Sequence, residues 1–432
     1  MNIRKKIYFL KDKYLHNSVV KNHLDDIREH YFFYHTDVNE QKRKERLKRI
    51  LEYAKNNVPY YQHFQGLELC DFPVINKSMI KENYENFLSK KFDMDKLFYV
   101  TTSGSTGTPF KSYRDAVKTE RHNADNIFFN ELAGGDVGMK LYYFRVWNNI
   151  NRKNIFKKII QNIVEVDAND FTETYVRELV RKTEKDTSKK FMLSYASSYE
   201  ALAMMMKSLG LTDIKTRMNG IISMSESLPE HTRDFLEKAF HSKVISRYSN
   251  MENGFIAQQC TEHKNEYHLN SGSFLVEILS LEGDFHVKDG EPGRIVVTDY
   301  FNYAMPFIRY DTGDIGVKSE SECKVRGPVL TKVEGRRTDF IFSTSGKMLS
   351  PHIITNTMWK FPNVEQFQFI QQEKKIYLLK INSKVRVDEK FLEKEFKNFL
   401  GDDAVIVLEY VHEIPLLSSG KRKKVINEYK TL

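Results

Sequence analysis

Between about residues 98 and 320, short β-rich runs alternate with longer stretches at helical spacing. That alternation confines the chain to folds in which a sheet is covered by helices. Residues 98–101 read as a strand running into a glycine turn, and 171–183 as a helix. Residues 221–224 read as a buried strand, and 274–279 and 294–298 as further strands of a sheet. After about residue 335 the texture changes. Residues 375–382 read as a strand and 388–400 as a helix with Phe391, Leu392, Phe396, Phe399 and Leu400 on one side; Gly401 ends that helix and 404–410 return as a strand. The expectation is an α/β large N-terminal domain over 1–335 and a small α+β C-terminal domain over 336–432.

A chain of 432 residues that is 41% apolar and 13% aromatic has material for a sizeable core, which excludes a disordered polymer. Lys and Arg outnumber Asp and Glu by 67 to 58, a net +9 that suits anionic partners in general. Three cysteines are too few for a disulfide framework and suggest a reducing compartment. The apolar run from Ile7 to Leu10 is broken by Lys11 and Lys13, too short for a secretory signal, and no run approaches a membrane span. A cytoplasmic location with no membrane span is therefore expected. In residues 41–56, Leu47, Ile50, Leu51 and Ala54 fall at helical spacing among basic residues. This reads as a surface helix with a solvated charged face. A nucleic-acid helix is the alternative, but no recognisable nucleic-acid-binding module accompanies it, so no nucleic-acid partner is expected.

The strongest local feature is Thr101-Thr102-Ser103-Gly104-Ser105-Thr106-Gly107-Thr108-Pro109, placed after a strand. Glycines permit a tight turn whose N–H groups face an anion, and the hydroxyls add donors suited to nucleotide phosphates. It is not a Walker loop, because Thr108 follows Gly107 where Lys is required. Taken alone, the segment is equally readable as a ligand-free turn.

Further segments follow in order: Ser223-Met224-Ser225-Glu226, Tyr248-Ser249-Asn250-Met251-Glu252, Arg309-Tyr310-Asp311-Thr312-Gly313-Asp314, Gly335-Arg336-Arg337-Thr338-Asp339 and Leu417-Ser418-Ser419-Gly420-Lys421-Arg422. With the loop at 101–109, these resemble the ordered core motifs of adenylate-forming enzymes. The branch they resemble is that of phenylacetate-CoA ligases and their capsular-polysaccharide (CapK-like) relatives, and the early Val58-Pro59-Tyr60-Tyr61 agrees.

The resemblance implies an ATP-dependent, AMP-forming carboxylic acid ligase. It places Thr102, Ser103, Gly104, Ser105, Thr106 and Gly107 on the β- and γ-phosphates, and Tyr248 against adenine, with Ser225, Glu226, Ser249 and Asn250 along the nucleotide. Asp314 is implied on the ribose hydroxyls, Arg336 near ribose and phosphate, Glu252 on Mg²⁺, and Lys421 on the α-phosphate and attacking carboxylate. Tyr195, Ser197, Tyr199, Ser225 and Asn250 are the candidates for the acid, in a site expected in the cleft between the domains. Each residue also has a plain structural reading: core tyrosine, surface carboxylate, turn cap or basic tail. Their ordered co-occurrence favours the functional one. The expected partners are a small-molecule carboxylic acid, ATP, and either CoA or an amine or hydroxyl acceptor, with a homodimer left open. A nucleotide binder without turnover is a further alternative.

Some residues depart from the family pattern. Met251 stands where a hydrogen-bonding threonine is usual, and Thr338 where the hinge is usually acidic. Cys260, His268 and Cys323, with His263 as a fourth candidate, resemble part of a zinc site found in this branch, but Val325 replaces one expected cysteine. A structural zinc is not the expectation, because two cysteines so distant in sequence read as buried thiols.

Overall fold

The protein is described by a computed structural model covering residues 3–102, 110–145, 147, 152, 154–168, 171–336, 340–349, 351–358, 360–361, 363–415 and 423–429. Among these residues, no helix is long and apolar enough to cross a membrane. The chain divides into two compact units: Met1–Thr312 with Gly316–Val333, and Glu334–Leu432 with Gly313–Ile315.

The large unit is built on an 11-stranded sheet. Its parallel half runs, from the edge inward, Ile163–Asp167, Lys140–Arg145, Lys190–Tyr195, Ile221–Met224 and Val244–Asn250. Helices Ile155–Gln161, Glu173–Lys185, Ala196–Ser208 and Glu230–Phe240 supply the crossovers that parallel strands require. Register explains why these strands read as unbroken apolar runs. Met192 pairs with Ile221, and both enter the cluster with Tyr199, Leu202 and Leu236; the next pair, Leu193 and Ile222, packs with Phe191 and Ile245 in a separate cluster. With both faces covered, period-2 alternation disappears.

Beyond Val244–Asn250 the sheet turns antiparallel through Gly254–Gln259, Tyr267–Leu269 and Pro328–Arg336, then continues to Tyr310–Glu320, Pro292–Asp299 and Phe274–Leu279. The expected strand at 98–101 is Phe98–Thr102, but it belongs to a separate two-stranded hairpin with Phe110–Arg114. The expected helix at 171–183 is Glu173–Lys185, begun by Thr172, whose hydroxyl accepts from Tyr175 N–H.

Helix Asp37–Asn57 contains the predicted 41–56 segment and buries Ile50, Leu51 and Ala54. Its cations are partly committed to the fold: Arg46 bonds Asp26 at 2.5 Å and the Gly272 carbonyl at 2.7 Å. Before it lie helices Ile3–His16 and Val19–Phe32, the second packed with helix Ala116–Leu132 through Leu24, Ile27, Ala124 and Phe128.

The small unit carries a four-stranded sheet ordered Val405–Tyr410, Ile376–Ser383, Val364–Gln371, Val425–Asn427. Helix Glu389–Leu400 links the two parallel strands Ile376–Ser383 and Val405–Tyr410. Asp388 caps it by accepting from Phe391 N–H, and Gly401 ends it at φ 116°, a backbone angle that favours glycine. Leu392, Phe396 and Leu400 are buried, as the i, i+4, i+8 spacing requires. Phe391 departs from the expected apolar side: it lies 42% exposed against Phe361, because its position falls 100° away from Leu392 around the helix.

Candidate functional site

Open parallel sheets bind ligands beyond the carboxyl ends of their strands, near the point where strand order reverses. Here the chain leaves Lys140–Arg145 for the edge strand, then returns to place Lys190–Tyr195 on the other side. Tyr195 therefore ends a strand at the reversal. Ser225 follows the end of the next strand, and Ser249 and Asn250 end the one after. Four of the sequence-derived candidates are thus set side by side by topology alone.

Local bonds hold this rim in shape. Glu226 accepts the backbone N–H of Ser197 at 3.1 Å, so its carboxylate closes the N-terminus of helix Ala196–Ser208. Ser225 sits at φ 69°, a left-handed conformation that non-glycine residues adopt at a cost. Tyr248 is nearly buried, and its hydroxyl donates to Thr312 Oγ1 at 3.2 Å, which fixes the ring's direction. Asn250 accepts from Asn253 N–H at 2.7 Å and caps the following turn. Met251 is half exposed at the turn's apex, with its carbonyl held by Arg114 at 2.6 Å. Gly254 closes the turn at φ 101°; a Cβ there would stand 2.7 Å from His122 Nδ1. Burial, reinforced by Arg114, Lys118 and Arg247, keeps His122 neutral well below the usual imidazole range.

Glu252 lies inside this turn with little exposure. Its Oε1 accepts from Lys77 Nζ at 3.2 Å and from the Tyr310 hydroxyl at 3.4 Å. Lys77 is a partner that the sequence reading missed. It opens the short helix Lys77–Glu82, capped by Asn76, and its Nζ lies 5.1 Å from the centre of the Phe110 ring. The segment before it is strapped to the large sheet: Ile75 N–H donates to the Arg309 carbonyl at 3.0 Å, and Asp311 N–H donates to the Ile75 carbonyl at 2.8 Å. The strap carries Lys77 to Tyr310 and Glu252. The usable signals were the Asn76 cap and the motif tyrosine, but nothing local to Lys77 names its partner.

Not every candidate joins this rim. Tyr199 is wholly buried one turn into its helix, against Phe144, and its hydroxyl has no hydrogen-bond partner among the described residues. Thr102 and Arg336 each end a strand, and Asp314 lies within strand Tyr310–Glu320. Ser103, Gly104, Ser105, Thr106, Gly107, Thr338 and Lys421 lie outside the described residues.

A magnesium ion takes one or two carboxylates plus phosphate oxygens rather than an all-protein cage. Glu252, a single inward carboxylate already surrounded by donors, fits that demand. A second donor set lies elsewhere in the large unit. Cys260, His268 and Cys323 are buried, with ligand atoms all within 4.8 Å of one another. Cys323 Sγ lies 3.2 Å from His268 Nε2. This corrects the premise on which zinc was set aside, since antiparallel pairing brings the distant thiols together. Two sulfurs and an imidazole nitrogen are donors that zinc accepts. His263 is not in the group; it is exposed, with Nδ1 4.0 Å from Glu266.

Comparison with known proteins now bears on this geometry. Residues 341–428 match the family model described as the CapK C-terminal domain. The chain is similar to protein CapK of Staphylococcus aureus, 24% identical over 418 residues covering 89% of this chain and 88% of that one. It is similar to the phenylacetate-coenzyme A ligase of Thermus thermophilus, 23% identical over 409 residues covering 88% of each. Among solved structures, 2-hydroxyisobutyryl-CoA ligase in its postadenylation state matches with a TM-score of 0.71 at 16% identity, covering 93% of this chain and 91% of that one. Over nearly its whole length the chain is thus similar to CapK and to a phenylacetate-coenzyme A ligase, and it shares the fold of a solved CoA ligase.

Proposed function

We propose that this protein is an ATP-dependent, AMP-forming carboxylic acid ligase. A carboxylate oxygen attacks the α-phosphorus of ATP, the bond to the β-phosphate oxygen breaks with its electrons leaving on pyrophosphate, and an acyl-adenylate forms. The observation that supports this best is the rim itself. Tyr195, Ser225, Glu226, Tyr248, Asn250 and Glu252 gather around the carboxyl ends of three adjacent strands, the place where such folds take nucleotides.

In this reading the Tyr248 ring, fixed by Thr312, stacks on adenine, and the Asn250 turn borders the α-phosphate in place of the usual threonine. Glu252 holds Mg²⁺, which neutralises phosphate charge when bound. Lys77 keeps the Glu252 carboxylate oriented. Asp314 accepts the ribose hydroxyls, and Lys421 and Arg336 supply cations to the reacting anions, roles carried by family resemblance. The CoA thiol then attacks the acyl carbon, the bond from that carbon to the AMP phosphate oxygen breaks with its electrons leaving on AMP, and a thioester forms. An amine or hydroxyl of a surface-polysaccharide precursor is the second acceptor, favoured by the likeness to CapK.

ATP–pyrophosphate exchange with pooled carboxylic acids tests the first step without knowledge of the acceptor. Acid-dependent exchange that collapses in Lys421→Ala supports the ligase. Measurable ATP binding with no exchange across an extract-derived acid pool would mark a nucleotide binder instead. Once the acid is found, CoA-dependent AMP release separates the thioester from the amine or hydroxyl product.

A further inference from the structure

Helix Ile3–His16 faces two ways. Its inner side carries Tyr8 and Phe9, packed beside the cluster of Val20, Leu24 and Phe128. On the same side, Asp12 is buried, accepting N–H groups from Val20 and Lys21, and Lys5 bonds Glu131 and Asp136 at 2.8 Å each. At 3.6 residues per turn, Ile3, Ile7, Leu10 and Tyr14 fall within an arc of about 60° on the opposite side. All four are 51–73% exposed. Lys6 and Lys13 flank this stripe on one side, Arg4 and Lys11 on the other. Asp12 is the helix's one acidic residue, and it points inward.

An ordinary surface helix turns its apolar stripe to the core and its charges to water. This one has a second apolar stripe turned outward between cations. Helix Ile155–Gln161 repeats the pattern: Ile155, Phe156, Ile159 and Ile160 are 61–74% exposed, with Lys157 and Lys158 between them and no acid. The two helices are tied to one turn of the large unit. Lys5 holds Asp136, and Asn162, which caps the second helix, donates from Nδ2 to the Gly138 carbonyl at 3.1 Å.

We propose that these two helices form a docking surface for an anionic phospholipid bilayer. The helix Ile3–His16 lies flat in the interface, its outward stripe entering the boundary between headgroups and acyl chains while Lys6, Lys11, Lys13 and Lys157 meet lipid phosphates. Charge selects this occupant. A second copy docking through the same face would set cations against cations, and a nucleic acid has no use for eight exposed apolar side chains. The surface is independent of the ligase reading, since none of these residues belongs to the nucleotide rim.

The test is co-sedimentation of the full chain with vesicles of phosphatidylcholine alone and with about 30% phosphatidylglycerol. Binding is expected to the anionic vesicles, falling roughly fivefold or more on raising salt from about 0.1 to 0.5 M. The pairs Ile7→Glu with Leu10→Glu, and Phe156→Glu with Ile160→Glu, lower it about tenfold or more, as does Lys6→Glu with Lys11→Glu. These side chains are exposed, so circular dichroism and pyrophosphate exchange stay at the parental level. Equal sedimentation with neutral and anionic vesicles, or undiminished binding by Ile7→Glu/Leu10→Glu, overturns the proposal. So does a concentration-dependent dimer in sedimentation velocity that the same pair abolishes, since the occupant is then a second copy.

Discussion

Acidification should loosen the large unit through His30, which is buried to 1% exposure between Asp26, Arg46 and Arg121. Its Nδ1 lies 2.9 Å from the Asp26 carbonyl and must donate, while Nε2 lies 3.4 Å from Arg46 and must accept. A proton on Nε2 would turn an N–H toward a guanidinium. Burial, aided by Arg46 and Arg121 against the pull of Asp26, lowers the imidazole to about 4 from 6.5. A group whose folded value is depressed below its unfolded one loses stability as pH falls, because the unfolded chain binds the proton first. Between pH 7.5 and pH 5.0 the loss from His30 is about 2 kcal/mol, roughly thirtyfold in the folded-to-unfolded ratio. The assay is urea unfolding at both pH values, followed through Trp147, which is buried in the large unit, in a Trp359→Phe background. His23, also lowered to about 4 chiefly by burial, contributes equally to parent and variant and cancels in their difference. The parent should lose about 2 kcal/mol more than His30→Gln over this interval. Parallel losses in the two proteins would refute the buried-neutral assignment.

Other outcomes follow from the same geometry. Glu252→Gln removes the charge proposed to hold the metal while keeping shape, and pyrophosphate exchange should fall by about 10² or more with little change in thermal midpoint; exchange within threefold of the parent excludes the proposed role. Zinc added to the metal-free chain should bind at about one equivalent per chain at the Cys260–His268–Cys323 group and raise the melting temperature. In Cys323→Ser the uptake, read by a chromogenic chelator, should disappear; uptake that persists there locates the metal elsewhere. Leu392→Ala empties a fully buried position in the small unit and should cost that unit about 2–5 kcal/mol in denaturant unfolding, whereas a loss below about 0.5 kcal/mol would mean the helix is not packed as described.

The α/β character was legible because strands and helices differ in period, and strands buried on both faces still stand out as β-branched runs between helical stretches. In the small unit the strand, helix and strand between 375 and 410 were legible nearly residue by residue, since Asp388 and Gly401 carry their own boundary signals, whereas strands Val364–Gln371 and Val425–Asn427 and helix Pro351–Met358 were not read. Phe391 was misjudged because an apolar neighbour of a core position looks like core until the 100° step is counted. The hairpin partner of Phe98–Thr102 was invisible, because pairing across a loop is not a local property. Separation in sequence explains the other misses. Lys77 and Glu252 meet only through the Ile75 strap, and Cys260 and Cys323 only through strand pairing. The first helix was weighed only as a failed secretion signal, although its stripe at 3, 7, 10 and 14 was there to be read.

The Ile75 strap also sets an order of events during synthesis. The peptide groups that clasp Ile75 belong to Arg309 and Asp311, so the segment bearing Lys77 has no seat until the ribosome has released them. At roughly 5–20 residues per second, that leaves the segment waiting about 12 to 47 s as nascent chain. Arg46 waits similarly for Gly272. The amino-terminal fifth of this protein is thus made first and seated late, while the carboxyl-terminal unit needs no partner from it to build its own core. Limited proteolysis of ribosome-bound chains stalled before residue 309, and again after about residue 360 where Arg309 and Asp311 have cleared the ribosome, should therefore switch from cutting near Lys77 to sparing it.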